Sequence, residues 1–133
     1  MDDLRRMLAE LPSELAPGTT LQPEPDHVLV TFPSRRTQKI LLAAGNQSYV
    51  FTSRIIGRRR VANMSWTELA RLVWPRNRRT PLVAFMLDPQ DRLIGRIDHP
   101  TATLDPPELQ AILLHLAREC DRLEYLLTGR DEQ

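Results

Sequence analysis

Leu104-Asp105-Pro106-Pro107-Glu108-Leu109 opens the stretch that decides the fold, and an apolar series runs on from it to Leu127. Asp105 suits an N-cap, where its carboxylate accepts a free amide of the first turn. Pro106 suits N1, whose N–H has no partner to lose, and Glu108 falls at N3. Leu109, Ile112, Leu113, Leu116, Cys120, Leu123 and Leu127 then recur at three- and four-residue steps, the spacing of one helix face. Gly129 is a natural stop. A helix over residues 105–128 is about 35 Å long, enough to cross five strands spaced about 4.8 Å apart. It is expected to pack across one face of such a sheet.

Working back from this helix, residues 81–98 read as a hairpin. Leu82 to Leu87 is apolar at every position, which suits a central strand covered on both faces. Asp88-Pro89-Gln90-Asp91 is a type I turn, and Leu93, Gly95 and Ile97 alternate with Arg92, Ile94, Arg96 and Asp98 on the return. Before the hairpin, Ser65 and Glu68 form a capping box for a helix over 65–75, which Pro75 is expected to end. Residues 27–57 hold three alternating runs separated by Pro33-Ser34-Arg35-Arg36 and Gly45-Asn46-Gln47, an antiparallel meander. Residues 17–26 carry Pro17, Gly18, Pro23 and Pro25 and read as an extended loop. In residues 1–16, Asp2 or Asp3 can cap a helix whose stripe is Leu4, Met7, Leu8 and Leu11. The expectation is one α+β domain: an antiparallel five-stranded sheet in the order α-βββ-α-ββ-α.

Composition fits that reading. The chain has 133 residues, 41% hydrophobic and 26% charged, with a net charge of +1. No global field draws it to nucleic acid or to an anionic membrane. Lys39 is the only lysine; every other basic side chain except histidine is arginine. This reflects either coding bias or a use for bidentate contacts to carboxylate or phosphate. No run approaches the roughly 20 apolar residues of a membrane span. Met1 to Arg6 lacks the layout of a signal peptide, so the cytoplasm is the expected compartment.

Catalytic chemistry finds little support. Phosphate loops, nucleophile elbows, metalloprotease helices and paired CxxC motifs are all missing from the sequence. Cys120 stands alone, so an internal disulfide is excluded, and it reads as a small core residue. His27, His99 and His115 lie far apart. His115 and Glu119 share a helix face as half a metal site or, more plainly, a surface ion pair. Asp98 and His99, as strand neighbours, point to opposite faces. Neither enzyme nor cofactor nor metal is expected, and a small regulatory ligand has no pocket signature.

The arginines are the one polar signal left. Arg58, Arg59 and Arg60 end the meander, and Arg76, Arg78 and Arg79 follow the second helix. Were the triplets to converge, they would form a basic patch for phosphates or an acidic peptide. Trp66 and Trp74 flank them in sequence, as in a module that stacks single-stranded nucleic acid.

The element order is similar to that of type III secretion chaperones. The strand–turn–strand from Pro81-Leu82-Val83-Ala84-Phe85-Met86-Leu87-Asp88 through Arg92-Leu93-Ile94 to Leu104-Asp105-Pro106-Pro107-Glu108-Leu109 resembles the YbjN family of chaperone-like domains, often described as sensory transduction regulators. Asp105 and Pro107 stand where that family usually has threonine and a first glutamate. The resemblance covers roughly residues 27–127. It implies a homodimer without cofactor or catalysis, a role of the stress-response kind, and binding of an extended or partly unfolded client protein.

Packing arguments lead to the same place. Leu29, Leu41, Val50, Ile56 and Ile94 are candidates for a second apolar sheet face that needs a cover. Either Leu4, Met7 and Leu8 of the first helix provide it, or those residues join the sheet in binding a client. Trp66, Leu69, Val73 and Trp74 are the expected dimer seam, since large aromatics concentrate at interface centres. The reading is a dimeric protein-binding module; the alternative is an accessory nucleic-acid module. The charge argument suits a client that is acidic or that itself handles DNA. No membrane partner is expected.

Overall fold

The computed structural model describes residues 1–79 and 82–129. Four α-helices and seven strands follow one another as α1 (Asp2–Glu10), β1 (Glu14–Ala16), β2 (Thr19–Pro23), β3 (His27–Thr31), β4 (Thr37–Ala44), β5 (Ser48–Ile56), α2 (Arg58–Ala62), α3 (Trp66–Arg79), β6 (Ala84–Leu87), β7 (Leu93–Pro100) and α4 (Pro106–Thr128). The strands form one antiparallel sheet in the order β1-β2-β3-β4-β5-β7-β6.

The expected α+β architecture and the β3–β4–β5 meander are present, but the sheet has seven strands rather than five. β2 falls within the stretch that the prolines marked as a loop, and β1 lies in residues 1–16, where only the first helix was expected. Pro17 sits in the turn with Gly18, whose φ of +75° lets the chain reverse tightly. Pro23 closes β2 opposite Val28. Thus the prolines sit in turns and at strand ends, where their missing N–H costs little. Between them Thr19 and Leu21 are buried while Thr20 is exposed, the alternation of a half-covered strand.

α4 begins and ends as expected. Asp105 Oδ1 accepts the amide of Glu108 at 2.8 Å, Pro106 occupies the first turn, and Gly129 adopts φ +72°. Its apolar face lies on β4, β5 and β7 over Ile40, Phe51, Leu93 and Ile97, all buried. α1 packs beside it on the same face, with Leu4 and Leu8 in the same core. The helix begins at Asp2 with Met1 as N-cap, so Asp2 and Asp3 act through the helix dipole rather than as caps.

Two further expectations are corrected. Pro75 does not end the second helix; α3 continues to Arg79. Proline removes one helical hydrogen bond, to exposed Arg71, and side chains tie the turns around it. The Arg76 and Arg79 guanidinium groups donate to the carbonyls of Leu72 and Pro75 at 3.1 and 3.3 Å. The apolar run ending at Leu87 is not a central strand: β6 is an edge, and Leu82 and Met86 are exposed. An unbroken apolar run records the absence of a polar face, not the presence of two covers.

One polar network is sealed inside. Gln38 donates to Glu124 at 2.7 Å and accepts from the Ser53 hydroxyl at 2.6 Å, and all three residues are buried between sheet and α4.

Candidate protein-binding surfaces

α3 carries two apolar stripes. Leu69 is buried, and Leu72 and Val73 pack against the core. Trp66, Ala70 and Trp74, at i, i+4 and i+8, face away from it, and the indoles are 80% and 67% exposed. Trp66, Thr67, Ala70, Arg71, Trp74 and Pro75 line a shallow apolar cleft. Of the four residues expected at a dimer seam, the fold therefore offers Trp66 and Trp74 outward and holds Leu69 and Val73 inward. A second cleft, between α2, α3 and the β6–β7 turn, is lined by Arg58, Val61, Met64, Trp66, Leu69, Leu87 and Asp91.

Among the described residues no helix lies over the sheet face turned away from α4. That face presents Leu29, Leu41, Val50, Ile94 and Met86 among threonines and basic side chains. Four expected client residues lie here: Leu29 and Val50 half-buried, Leu41 exposed, Ile94 buried. Leu4, Leu8 and Ile56 do not; they are core residues, and Met7 packs against the core. Ile56 turns inward because the ladder slips between Arg54 and Ile56, which buries both Ile55 and Ile56. α1 thus does not cover this face; it shares the other with α4.

The two arginine triplets both approach the second half of α4, Arg59 and Arg60 near Glu124 and Arg76 near Glu119 and Arg122. Arg59 and Arg60 line a cleft with Glu124 and Thr128 at the end of α4. Arg76 lies along its own helix, where burial and then the neighbouring Arg79 hold its guanidinium below the ordinary value. Arg78 and Arg79 are exposed.

Three groupings were not anticipated. Thr37, Lys39, Leu41, Arg54 and Arg92 line a cleft on the open sheet face. Period-two alternation places Lys39 and Leu41 opposite in direction to Gln38 and Ile40, but only the strand pairing brings Arg54 beside them. Arg36 donates to both oxygens of Asp121 at 3.0–3.1 Å and lies 4.7 Å from the centre of the Tyr125 ring. His99 Nε2 meets Glu108 at 2.7 Å, tying β7 to the first turn of α4.

No metal-like cluster of three or more histidine, cysteine or acidic side chains occurs among the described residues. Glu119 is bonded by Arg122 at 3.2 Å, and His115 Nε2 meets no hydrogen-bond partner among them. Cys120 is wholly buried, and burial pushes its thiol far above the ordinary value. No helix among the described residues is long and apolar enough to cross a membrane.

The architecture has counterparts among solved structures. A chain of the ExsC–ExsE complex superposes with a TM-score of 0.60 at 17% identity, covering 95% of this chain and 94% of that one. A chain of the heterodimeric ExoU–SpcU complex, from the type III secretion system of Pseudomonas aeruginosa, gives 0.58 at 17% identity, with 98% and 100% covered. A chain of the HopA1–SchA chaperone–effector complex gives 0.52 at 12% identity, with 92% and 88% covered. These likenesses establish a fold shared with one chain of each of these three complexes. No family model and no curated protein matches the sequence.

Proposed function

We propose that the chain is a non-enzymatic, chaperone-like protein that pairs with a second copy of itself through α3 and binds, protects or presents another protein. One observation carries the reading. Trp66 and Trp74 stand 80% and 67% exposed on one stripe of one helix, with only Ala70 between them. Large aromatics so bare are the expected centre of an interface. The uncovered sheet face and the exposed edge side chains Leu82 and Met86 offer further surface for a client. Structural likeness to a chain of a chaperone–effector complex supports the same role. Kinship with YbjN domains belongs to this proposal, supported by the Asp105 cap and the β6–β7 hairpin, and a cytoplasmic site of action belongs to it as well.

Light scattering tests the dimer. The wild-type chain is expected to show the mass of two copies, and Trp66→Glu with Trp74→Glu the mass of one, with an unchanged circular dichroism spectrum. A wild-type mass of one chain overturns the α3 seam. Affinity purification of tagged protein from its own cells, followed by proteolysis of any captured partner with and without the chain, tests protection.

The alternative of an accessory nucleic-acid module has its own support, since Arg71 lies beside both indoles in one cleft. A gel shift with single-stranded DNA that weakens steeply with salt favours it; no shift at low salt removes it.

A further inference from the structure

The open sheet face holds charge that the fold does not match. Lys39 pairs across the ladder with Leu29, and Arg54 with Ile94. The register that sets Ile40 opposite Ser53 brings Lys39 and Arg54 side by side on neighbouring strands. Both are exposed and both line the cleft completed by Thr37, Leu41 and Arg92. Asp88 neutralises Arg92 at 2.7 Å and Asp98 neutralises Arg96 at 2.6 Å. Asp26 feels the charge of Lys39 but makes its 2.8 Å contact with His27. Among the described residues no carboxylate forms an ion pair with Lys39 or Arg54. Like charges set against each other across strands cost stability. An anionic ligand offsets that cost.

The surroundings define its class. Leu41 at the cleft and Met86 beyond it are apolar and exposed, so a bare anion leaves that surface unused. Tyr49, Phe51 and Phe85 are all turned into the core, so among the described sheet residues His27 is the one aromatic ring on this face, with no phenylalanine, tyrosine or tryptophan on which bases could stack. We propose that this face takes an acidic, partly apolar extended segment of the protein partner. Its carboxylates lie between Lys39 and Arg54, and its apolar side chains cover Leu41 and Met86. This rests on the protein-binding reading and gives that partner a chemistry.

Fluorescence anisotropy tests it with three labelled probes: a glutamate–leucine copeptide, a lysine–leucine copeptide and single-stranded oligothymidylate. The acidic probe is expected to bind the wild-type chain, less tightly as salt rises. Lys39→Glu with Arg54→Glu is expected to weaken it at least about tenfold, whereas Arg118→Glu with Arg122→Glu, on α4 across the sheet, leaves it unchanged. Arg54→Glu alone has a second signature. It converts the like-charge pair into an ion pair, so the melting temperature rises while acidic-probe binding falls. Equal binding by the double variant, or no binding of the acidic probe, overturns the proposal. Binding of oligothymidylate that the same double variant abolishes also overturns it and assigns the face to nucleic acid. The mass measurement on α3 reads a different surface, so failure here leaves the dimer result standing.

Discussion

The side chain of Asn77 behaves as one residue of an extra strand against Phe85. Its Nδ2 donates to the Phe85 carbonyl at 3.0 Å, and its Oδ1 accepts the Phe85 amide at 2.7 Å. Both backbone groups point outward from edge strand β6, which pairs with β7 on its other side. α3 thereby occupies a position where another chain could dock. Asn77→Ala is expected to cost about 1–3 kcal/mol in urea unfolding, because two part-buried backbone groups lose their partner. It is also expected to raise aggregation, since the exposed strand is apolar. Stability within a few tenths of wild type, with no added light scattering, contradicts this role.

Gly95 is a packing requirement. A Cβ added there stands about 3.2 Å from Val83 Cγ1 and overlaps the Cys120 sulfur. Gly95→Ala is expected to destabilise by about 1–3 kcal/mol through overpacking. Combined with Cys120→Ala, it is expected to cost less than the sum of the two single changes, because the second removes the obstacle. Strict additivity in that double-mutant cycle contradicts the contact. Cys120 itself is expected to react with thiol reagents only as fast as the protein opens, since burial holds it protonated.

The buried Gln38–Glu124–Ser53 network makes a third prediction. Gln38→Ala strips the amide from a buried carboxylate and a buried hydroxyl, and is expected to cost about 2–4 kcal/mol. Replacing Gln38 and Glu124 together by methionine is expected to recover most of that loss, since an apolar pair leaves fewer orphaned groups. If the double variant is no better than Gln38→Ala, polarity is not what the site requires.

Acid should act partly through the β6–β7 turn. Burial pushes the Asp88 carboxyl up, but hydrogen bonds from the Arg92 amide and guanidinium and the Gln90 amide outweigh it and hold the group below its ordinary value. Asp98 is likewise held low, chiefly by the Arg96 guanidinium. A carboxylate lowered on folding contributes its full stability above its unfolded value of about 3.9, and loses it as pH falls through the folded value. The melting temperature of Asp88→Asn is therefore expected to lie below wild type at neutral pH, with the gap closing in strong acid. A gap that stays constant with pH contradicts the linkage.

What could be read ahead of the structure followed from local chemistry. The Asp105 cap, Gly129 and the three- and four-residue apolar steps specify α4 almost to the residue, because each acts within one turn of chain. The β3–β5 meander follows from alternation and two turns. β1 and β2 were hidden because prolines at strand ends and in turns look, in one dimension, like prolines that forbid a strand. Pro75 misled for the complementary reason: side chains bonding carbonyls in the turns around it are not visible in the string. In α3 the string put Trp66, Leu69, Val73 and Trp74 on one seam, but which of them meets the core depends on where β6 and α4 lie. Lys39 and Arg54 are fifteen positions apart and become neighbours only through the pairing of Ile40 with Ser53.

The closure of one sheet face by α4 has a bearing on how the chain is made. The ribosome delivers every strand before the helix that roofs them, so the growing polypeptide holds Ile40, Phe51 and Leu93 bare while synthesis continues. For that interval this protein is itself a sticky nascent chain, in want of the kind of shelter that its finished form is proposed to give to others.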